Sequence, residues 1–385
     1  MSGSSNTNSL IEILHFKAEQ LGLELLGITV PVAPPHLSTY LGWIAQGHHA
    51  GMAYMASERN RFLRTHPEAI LPEAQALLVV GMRYPAPHAL PPPSSHPVGR
   101  IASYAWGKDY HLTLPALLQE LLKVAEEYLG HPIPSRLYCD TGPVLERDFA
   151  QQAGLGWIGK NTCLIHPRKG SYFFLGEAFI GAPLPPTPAF STDHCGTCRR
   201  CIEACPTQCI LPNRTIDAGR CISYLTIENK GAIPRALRPR MGNWVFGCDI
   251  CQMVCPWNLR FAKADGSPAF EMYPEIAYPD LRRELRLTPE AFKERYGKTP
   301  VIRARRRGFL RNLAVALGNA ADPSTVPTLG QVLQEEPEPL IRSHAAWALG
   351  RIQTRAARYV LEKARKSEPI PEVQMEINAA LEETP

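Results

Sequence analysis

The cysteines of this 385-residue chain are spaced as ligands of iron–sulfur clusters. The run CGTCRRCIEACP begins at Cys195, and a shortened copy, CDICQMVCP, begins at Cys248. A [4Fe–4S] cluster needs four thiolates, and in two-cluster proteins the cysteine before the proline binds the other cluster. With Cys221 in place of the cysteine that the second run lacks, this rule predicts two clusters. The predicted ligands are Cys195, Cys198, Cys201 and Cys255 for cluster 1, and Cys205, Cys221, Cys248 and Cys251 for cluster 2.

Zinc is the alternative metal, because paired CxxC motifs also bind it. The longer CxxCxxCxxxCP run is much more specific to iron–sulfur and favours the two clusters. The chain has eleven cysteines, an odd number that excludes a fully paired disulfide framework. Cys139, Cys163 and Cys209 remain unassigned, and Cys209 is either a spare ligand or a small buried residue.

A second chemical feature is Asp140, at the predicted end of a short strand. The turn Thr141–Pro143 follows it, and a helix is predicted to begin near Val144. An aspartate in this position can point into a cleft and act as a general acid if burial raises its pKa. The alternative, which the spacing alone favours, is an Asx turn or a helix N-cap.

The segment GLGWIGKN, residues 154–161, matches the GxGxxG pattern by its letters. A dinucleotide-binding fingerprint follows a strand and opens a helix. Here a predicted helix at 145–153 comes first and a predicted strand at 162–166 comes after, so the order excludes NAD binding. Close approach of the glycine backbone to another flat ligand stays open.

Three kinds of scaffold are predicted to position these residues. Residues 11–30 predict a helix running into a strand, 76–82 a buried strand, 114–129 a helix with Pro115 in its first turn, and 171–180 another strand. This alternation predicts an α/β domain. The predicted division is a disordered tail at 1–10, the α/β domain at 11–185, a ferredoxin-like module at 186–265 and an all-α domain at 266–385. A stiff proline-rich loop is expected at 85–97.

The C-terminal part carries an internal similarity. Arg311–Asn319 and Arg342–Arg351 resemble each other at a spacing of 31 residues, and each is followed by a second apolar helix. Helix pairs with this period indicate HEAT-like repeats. An ordinary helix bundle is the alternative.

Composition and charge indicate the compartment and a polyanionic partner. Apolar residues make up 45% of the chain, and its start lacks the pattern of a secretory signal, so we expect a cytoplasmic protein. The net charge of +5 is distributed unevenly, because the stretch 235–311 contains 16 basic and 8 acidic side chains. Arginine-rich stretches suit phosphate and unpaired bases. A solvated helix face is the alternative.

Four blocks of the chain together resemble the epoxyqueuosine reductases, which are iron–sulfur and cobalamin enzymes of tRNA modification. They are CDTGPVLERDFAQQAGLGWIGKN from Cys139, CGTCRRCIEACPTQ from Cys195, RCISYLTIENKG from Arg220 and NWVFGCDICQMVCPWN from Asn243. The resemblance implies an α/β cobalamin-binding domain beside the ferredoxin-like two-cluster module and the HEAT-like repeats. It also implies reduction of epoxyqueuosine to queuosine at the wobble position of tRNAs with GUN anticodons.

The resemblance further implies roles for individual residues. Asp140 would be the proton donor, which requires a raised pKa. The residues implied near cobalamin are Arg64, Tyr104, Asp140, Ser223, Cys248 and Asp249. The residues expected to bind tRNA are Lys230, Arg303, Arg305, Arg306 and Arg307. An external low-potential electron donor, a monomeric state and no membrane association are also expected.

Two other functions fit the cluster motifs. A corrinoid-dependent reductive dehalogenase pairs two such clusters with cobalamin, but the arginine-rich helical tail and the missing export signal disfavour it. A ferredoxin-type electron carrier does not explain the long segment from Cys139 to Asn161.

Overall fold

The N-terminal region of the computed structural model, which describes residues 3–87 and 94–383, is built around one sheet. Its elements are α1 (Gly3–Gln20), β1 (Leu23–Thr29), α2 (Leu37–Ala45), α3 (Ala53–Ala56), α4 (Glu58–Thr65), β2 (Ala76–Arg83), β3 (Arg100–Ile101), α5 (Tyr110–Leu129), β4 (Ser135–Tyr138), α6 (Glu146–Gln152), β5 (Trp157–Ile158), β6 (Leu164–Ile165) and β7 (Phe173–Ile180). The strand order is β1–β2–β7–β4, and every pairing is antiparallel. Helices and strands alternate as predicted, but alternation does not fix strand direction. The usual parallel form of an α/β domain is therefore absent from the described sheet.

Both faces of the sheet are covered, which explains the continuous apolar run of β2. Leu78 and Val80 face α1 and α5, whereas Leu77 and Val79 face α6. Successive strand residues point to opposite faces, so a strand buried on both faces needs apolar residues throughout. All eight residues of β2 are buried.

Three local predictions need correction. The disordered tail predicted at 1–10 is helical from Gly3, since α1 continues through Leu10 and Leu14, which are buried against the sheet. The helix predicted from residue 114 begins at Tyr110, so Pro115 lies beyond its first turn; Asp109 is the N-cap. The central part of the proline-rich loop, 88–93, lies outside the described residues.

The cysteine-rich region contains short helices and one strand. They are α7 (Arg200–Ala204), α8 (Ile222–Ile227), β8 (Trp244–Phe246), α9 (Ile250–Met253) and α10 (Pro256–Phe261). β8 pairs in parallel with β3, which joins this region to the N-terminal one. All eleven cysteines lie in the described part of the chain, and none of them forms a disulfide bond there.

The C-terminal region consists of helices. They are α11 (Leu281–Glu284), α12 (Pro289–Tyr296), α13 (Arg305–Ala320), α14 (Val326–Glu335), α15 (Pro339–Ile352), α16 (Arg355–Arg365) and α17 (Pro371–Glu383). α15 packs between α13 and α17, and α14 packs on α16, the stacking expected of helical repeats. Added Cβ atoms at Gly318 and Gly350 would lie 2.6 Å and 2.8 Å from side chains of the next repeat, so these glycines allow close helix packing. None of the described helices combines the length and apolar character needed to cross a bilayer.

Shorter 3₁₀ turns connect these elements. They are Pro67–Ala69, Ser103–Ala105, Ala218–Arg220, Arg238–Met241, Pro274–Ile276, Pro300–Ala304 and Pro323–Thr325.

A buried arginine fixes the repeats to the cysteine-rich region. Arg311 on α13 is fully buried, and its guanidinium donates hydrogen bonds to the carbonyl oxygens of Leu225, Asn229 and Gly231 at 2.6–2.7 Å. Burial lowers the pKa of Arg311 to about 9, which reflects the cost of desolvating the charge. These three bonds satisfy carbonyl groups at the end of α8 and in the loop that follows.

We expect Arg311→Met to lower the free energy of unfolding by about 3 kcal/mol, because it leaves buried carbonyl groups without donors. Thermal or urea unfolding of the anaerobically purified protein measures this change. The control is Arg283→Met, which alters an exposed arginine of the same basic stretch. Equal stability of the two variants would contradict a structural role for Arg311.

Candidate active site

Four thiols from two distant stretches of the chain line one cavity of about 250 Å³. They are Cys195, Cys198, Cys201 and Cys255, the set predicted for cluster 1. Lys160 Nζ donates hydrogen bonds to the carbonyl oxygens of Gly196 (2.6 Å) and Cys198 (2.9 Å). Trp157 Nε1 lies 3.5 Å from Cys195 Sγ and donates to it. The GLGWIGKN segment therefore holds the loop that carries the first three of these cysteines.

A second cavity, of about 300 Å³, contains the other predicted set. Its lining includes Cys205, Cys221, Cys248 and Cys251, together with the unassigned Cys163 and Cys209. Cys209 is buried, and its sulfur lies 3.5 Å from that of Cys205. Asn161 lines both cavities, so the two sit side by side.

The donor sets fit [4Fe–4S] clusters in number and kind. Within residues 3–87 and 94–383, no three His, Cys, Asp or Glu side chains are grouped as ligands of a single metal ion. A [4Fe–4S] cluster does not require such a grouping, because each thiolate binds a different iron at a corner of the cube.

Most of the residues implied near cobalamin line this second cavity. Tyr104, Ser223, Cys248 and Asp249 are on its wall, beside Tyr84. Burial raises the pKa of Asp249 to about 6, and its Oδ2 accepts a hydrogen bond of 2.7 Å from the Ser103 N–H. The wall thus presents aromatic and polar groups to the same space.

Asp140 and Arg64 lie outside this lining, and the place of Arg64 near cobalamin stays a prediction. The Arg64 side chain is buried over the ring of Tyr40, 5.3 Å from the ring centroid, and donates to the Tyr40 hydroxyl. It therefore ties α4 to α2, because a buried guanidinium must find local acceptors.

The glycines of GLGWIGKN serve the chain itself. A Cβ at Gly156 would lie 2.2 Å from the Ile165 carbonyl oxygen, and one at Gly159 would lie 2.6 Å from the Ile165 side chain. These contacts allow β5 and β6 to pair closely. The order of elements agrees with the exclusion of NAD binding, since α6 precedes this segment.

Asp140 lies in a strained turn. Its φ is +60°, and the Thr141 N–H donates to the Cys139 carbonyl oxygen at 2.7 Å, which makes a three-residue γ-turn. Its carboxylate accepts a hydrogen bond from the Tyr110 hydroxyl at 2.9 Å. The N-cap alternative is wrong, because α6 begins at Glu146 and Leu145 is its N-cap.

Asp140 belongs to a network at the start of α5. His111 lies between two carboxylates, with Nδ1 2.7 Å from Asp109 Oδ1 and Nε2 3.6 Å from Asp140 Oδ2. Burial lowers the pKa of His111, but the two carboxylates raise it more, to about 9. Desolvation raises the pKa of Asp140, but His111 and Tyr110 lower it below its ordinary value.

The proton of this network therefore resides on His111 at neutral pH, and the raised pKa expected for Asp140 is wrong. The Asp140 side chain is 57% exposed, so it faces an open cleft. Tyr104 connects this network to the second cavity, because its ring lies 6.1 Å from the ring of Tyr110.

Basic side chains lie at the rim of this cleft. Arg303 pairs with Glu228, and its charge lowers the pKa of Asp140. The pKa of Lys230 is lowered by burial first and then, among other neighbours, by Arg305 and Arg303. These three cations therefore form one group, which we call the rim cluster (Lys230, Arg303 and Arg305).

Two other arginines expected to bind tRNA form ion pairs with glutamates. Arg306 donates to both carboxylate oxygens of Glu336 (2.6 and 2.9 Å) and to the Leu287 carbonyl oxygen, and its RNA contact stays a prediction. Arg307 is half exposed but pairs with Glu338 at 2.9 Å. Successive residues of a helix point in different directions, which the run of arginines in the sequence does not reveal.

The sequence analysis did not identify Asp109, Tyr110 and His111 as part of the site. The available signal was Asp109 itself, which caps α5 by accepting the His111 N–H at 3.1 Å. An aspartate N-cap places the next two side chains in the first helical turn. The helix start assigned at residue 114 concealed that relation.

Three family models match separate parts of the chain. The model of the 4Fe–4S double cluster binding domain matches residues 194–258, and the HEAT repeat model matches residues 302–382. The model of epoxyqueuosine reductase QueG matches residues 64–141. The iron–sulfur and HEAT-like predictions are therefore confirmed at the level of the domain.

Whole-chain comparisons extend this similarity. The epoxyqueuosine reductase of Pseudomonas aeruginosa is 41% identical over 86% of this chain and 91% of its own. An epoxyqueuosine reductase solved with an epoxyqueuosine-modified tRNA-Tyr stem loop matches with a TM-score of 0.88 and 32% identity over 98% of this chain and 99% of its own. The Bacillus subtilis enzyme, solved with its catalytic aspartate loop swung out of the active site, gives a TM-score of 0.87 and 31% identity over 98% of this chain and 100% of its own.

The pKa of His111 gives a pH-dependent stability. A folded-state pKa of about 9, against about 6.5 for the unfolded chain, adds stability below pH 6.5 that is lost as the pH rises through 9. As the pH rises from 6 to 9.5, we expect the free energy of unfolding of the wild type to fall more than that of His111→Gln. The difference should be about 1 kcal/mol after allowance for partial exposure. Anaerobic thermal unfolding measures this, with His131→Gln, at the exposed end of the same helix region, as control. Equal pH dependence of wild type and His111→Gln would refute the assignment.

Proposed function

The chain belongs to the epoxyqueuosine reductase family, and on that premise we propose that it reduces epoxyqueuosine to queuosine at the wobble position of tRNAs with GUN anticodons. The observation that carries this proposal is that the thiol-lined cavity and the His111–Asp140 pair are connected. A cavity lined by thiols is joined through Tyr104 and Tyr110 to the His111–Asp140 pair in an open cleft. Electron delivery and proton delivery would therefore meet at one place.

The cofactors in this proposal are two [4Fe–4S] clusters and cobalamin. Cluster 1 would take the four cysteines of the first cavity, and cluster 2 would take Cys205, Cys221, Cys248 and Cys251. Tyr104, Ser223 and the Cys248–Asp249 segment would hold cobalamin, because they give the wall of the second cavity aromatic and polar groups that can contact a ring with polar substituents. When bound, these groups supply the low-potential electrons and the strong nucleophile that removal of an epoxide oxygen requires.

The protein side chains would supply the proton. His111, which carries a proton at neutral pH, would pass it to Asp140, and Asp140 would deliver it to the departing oxygen, which leaves His111 neutral and Asp140 ionised. An alkoxide oxygen is far more basic than either group, so transfer through a hydrogen-bonded carboxylate is favourable even when that carboxylate has a low pKa. The catalytic aspartate loop named for the Bacillus subtilis relative supports this role, and we assign it to the turn that contains Asp140.

The rim cluster would bind the backbone of the anticodon loop. A base that reaches Asp140 must bring its neighbouring phosphates to the rim of the cleft, where Lys230, Arg303 and Arg305 form the cationic group. Arginine and lysine suit phosphate contacts.

A tRNA substrate also fits a cytoplasmic enzyme, and reduction of the clusters requires an external low-potential electron donor.

The two other candidate functions lose support from the same observations. The whole-chain relatives described above carry the name epoxyqueuosine reductase rather than dehalogenase. An electron carrier would not require the His111–Asp140 pair or the rim cluster. Corrinoid absorption bands beside the iron–sulfur absorption would separate a cobalamin enzyme from a carrier that contains clusters alone.

Anaerobic turnover of epoxyqueuosine-containing tRNA, with reductant and cobalamin and with nucleoside mass spectrometry as readout, tests the function. We expect queuosine from the wild type and a turnover rate at least about 100-fold lower from Asp140→Asn, because general acid catalysis is lost. Iron and corrinoid contents should be unchanged. Asp265→Asn, at an exposed loop, is the matched control. Wild-type turnover by Asp140→Asn would reject the proton-donor role, and no queuosine from the wild type would reject the function.

Removal of one rim cation tests the RNA surface. We expect Arg305→Ala to weaken tRNA binding and to reduce the slope of log K against log salt by about 0.7–0.9, the contribution of one phosphate contact. Arg351→Ala removes an exposed arginine elsewhere on the repeats and should leave the slope unchanged. Binding titrations at several salt concentrations measure both, and equal slopes for the two variants would exclude Arg305 from the interface.

A further inference from the structure

Two glutamates that the proposed reaction does not use lie behind the Asp140 turn. Glu146 is the first residue of α6, and its Oε1 accepts a hydrogen bond of 2.5 Å from the Asp140 N–H. Glu177 lies on β7 at the centre of the sheet and is fully buried. The side chains of these two glutamates face each other. The carboxyl pair therefore sits directly beneath the turn that carries Asp140.

The Glu177 carboxyl lacks the partners that an ionised group needs. Neither of its oxygens accepts a hydrogen bond from a donor in the described part of the chain. A buried carboxylate without donors or a cation is costly, and two adjacent carboxylates repel each other. The pair therefore holds at least one proton, which leaves a Glu146 oxygen free to accept the Asp140 N–H.

The charges around the pair come from several elements. Asp140 in the turn after β4 is a further negative neighbour of both glutamates, whereas His111 on α5 and Arg147 on α6 are positive neighbours of Glu146. Burial and Asp140 raise the pKa of Glu146 to about 7, and burial and Glu146 raise the pKa of Glu177 well above its ordinary value. The positive neighbours offset only part of the repulsion.

The turn needs an external restraint. Asp140 has a φ of +60° in a γ-turn, a conformation that is rare and strained for a residue with a side chain. The local hydrogen bond of this turn joins Thr141 to Cys139 and leaves the Asp140 N–H to Glu146. Without that acceptor, nothing else described on the backbone side of Asp140 holds its amide in place.

We propose that Glu146 is a positioning residue for Asp140, and that Glu177 keeps Glu146 in place by sharing a proton with it. Glu146 acts on the backbone of the turn, so the Asp140 carboxylate stays between Tyr110 and His111. Loss of the shared proton leaves two adjacent negative charges, which separate and release the turn. This inference rests on the proposed function for its effect on turnover, but the restraint itself is a property of the fold.

The sign of the pH dependence follows from the raised folded-state pKa values. Stability from the pair is fully present below the unfolded pKa of about 4.3. It is lost in two steps as the pH rises, first through the pKa of Glu146 at about 7 and then through the higher pKa of Glu177, where the shared proton leaves. The turn is therefore held at neutral pH and loosens in alkali. Glu177→Gln cannot ionise and should lack this alkaline loosening.

Hydrogen exchange of the holoenzyme tests the restraint without any assay of turnover. We expect Glu146→Ala to increase deuterium uptake in residues 138–145 at least about threefold at early times, whereas Glu146→Gln, which keeps an acceptor oxygen, stays near the wild type. The wild type should show rising uptake in this segment, beyond the intrinsic effect of pH, as the pH is raised from neutral into alkali, and Glu177→Gln should not. Glu127→Gln, an exposed residue on α5, is the control. Unchanged uptake in Glu146→Ala would overturn the proposal.

Turnover measures the consequence for the reaction. We expect Glu146→Ala to lower kcat at least about tenfold, because a misplaced acid loses its alignment, with the KM for tRNA changed less than about twofold and Glu146→Gln restoring most of kcat. A kcat equal to that of the wild type would overturn the positioning role. If the wild type itself gives no queuosine, the proposed function fails, and the exchange experiment still decides whether Glu146 restrains the turn.

Discussion

The convergence of thiols from two separate stretches of chain is the constraint on which the rest of the structure depends. Each predicted cluster draws its cysteines from both runs, so the two loops must be held against each other. Lys160 and Trp157 bind the first loop, and the side chains of Ser171 and Asn258 hydrogen-bond to each other next to the second. Segments of the N-terminal region are therefore part of the cluster site as well as neighbours of it.

The same packing brings acidic groups together around Asp140. Asp109 and Asp140 flank His111, while Glu146 and Glu177 lie behind the turn. Negative charges this close cannot all be ionised without a cation or a shared proton. His111 offsets the front pair, and a retained proton offsets the pair behind. Burial and close approach of these groups thus keep His111 and the glutamate pair protonated next to the proposed reaction centre.

The basic stretch illustrates how a fold divides charges of one sign. Arg311 is fully buried beneath the loop that carries Lys230, and Arg306 is paired with Glu336. Arg305 is exposed beside Lys230. Arg311 thereby supports the loop that presents Lys230, so stability and the proposed RNA surface depend on each other.

The sequence by itself determined the features that depend on neighbours along the chain. Cysteine spacing predicted two clusters and their ligand sets, which two cavities bring together, and the internal similarity at a spacing of 31 residues predicted the repeats. Strand pairing, the partners of Arg64 and Arg306, and the approach of His111 and Glu177 to Asp140 were decided only by the tertiary structure. These groups are far apart in sequence, and their protonation and pairing depend on burial and on distances between elements. Local propensity and spacing contain no information about burial or about distances between elements. For this reason the raised pKa expected for Asp140 occurs instead on His111 and Glu146.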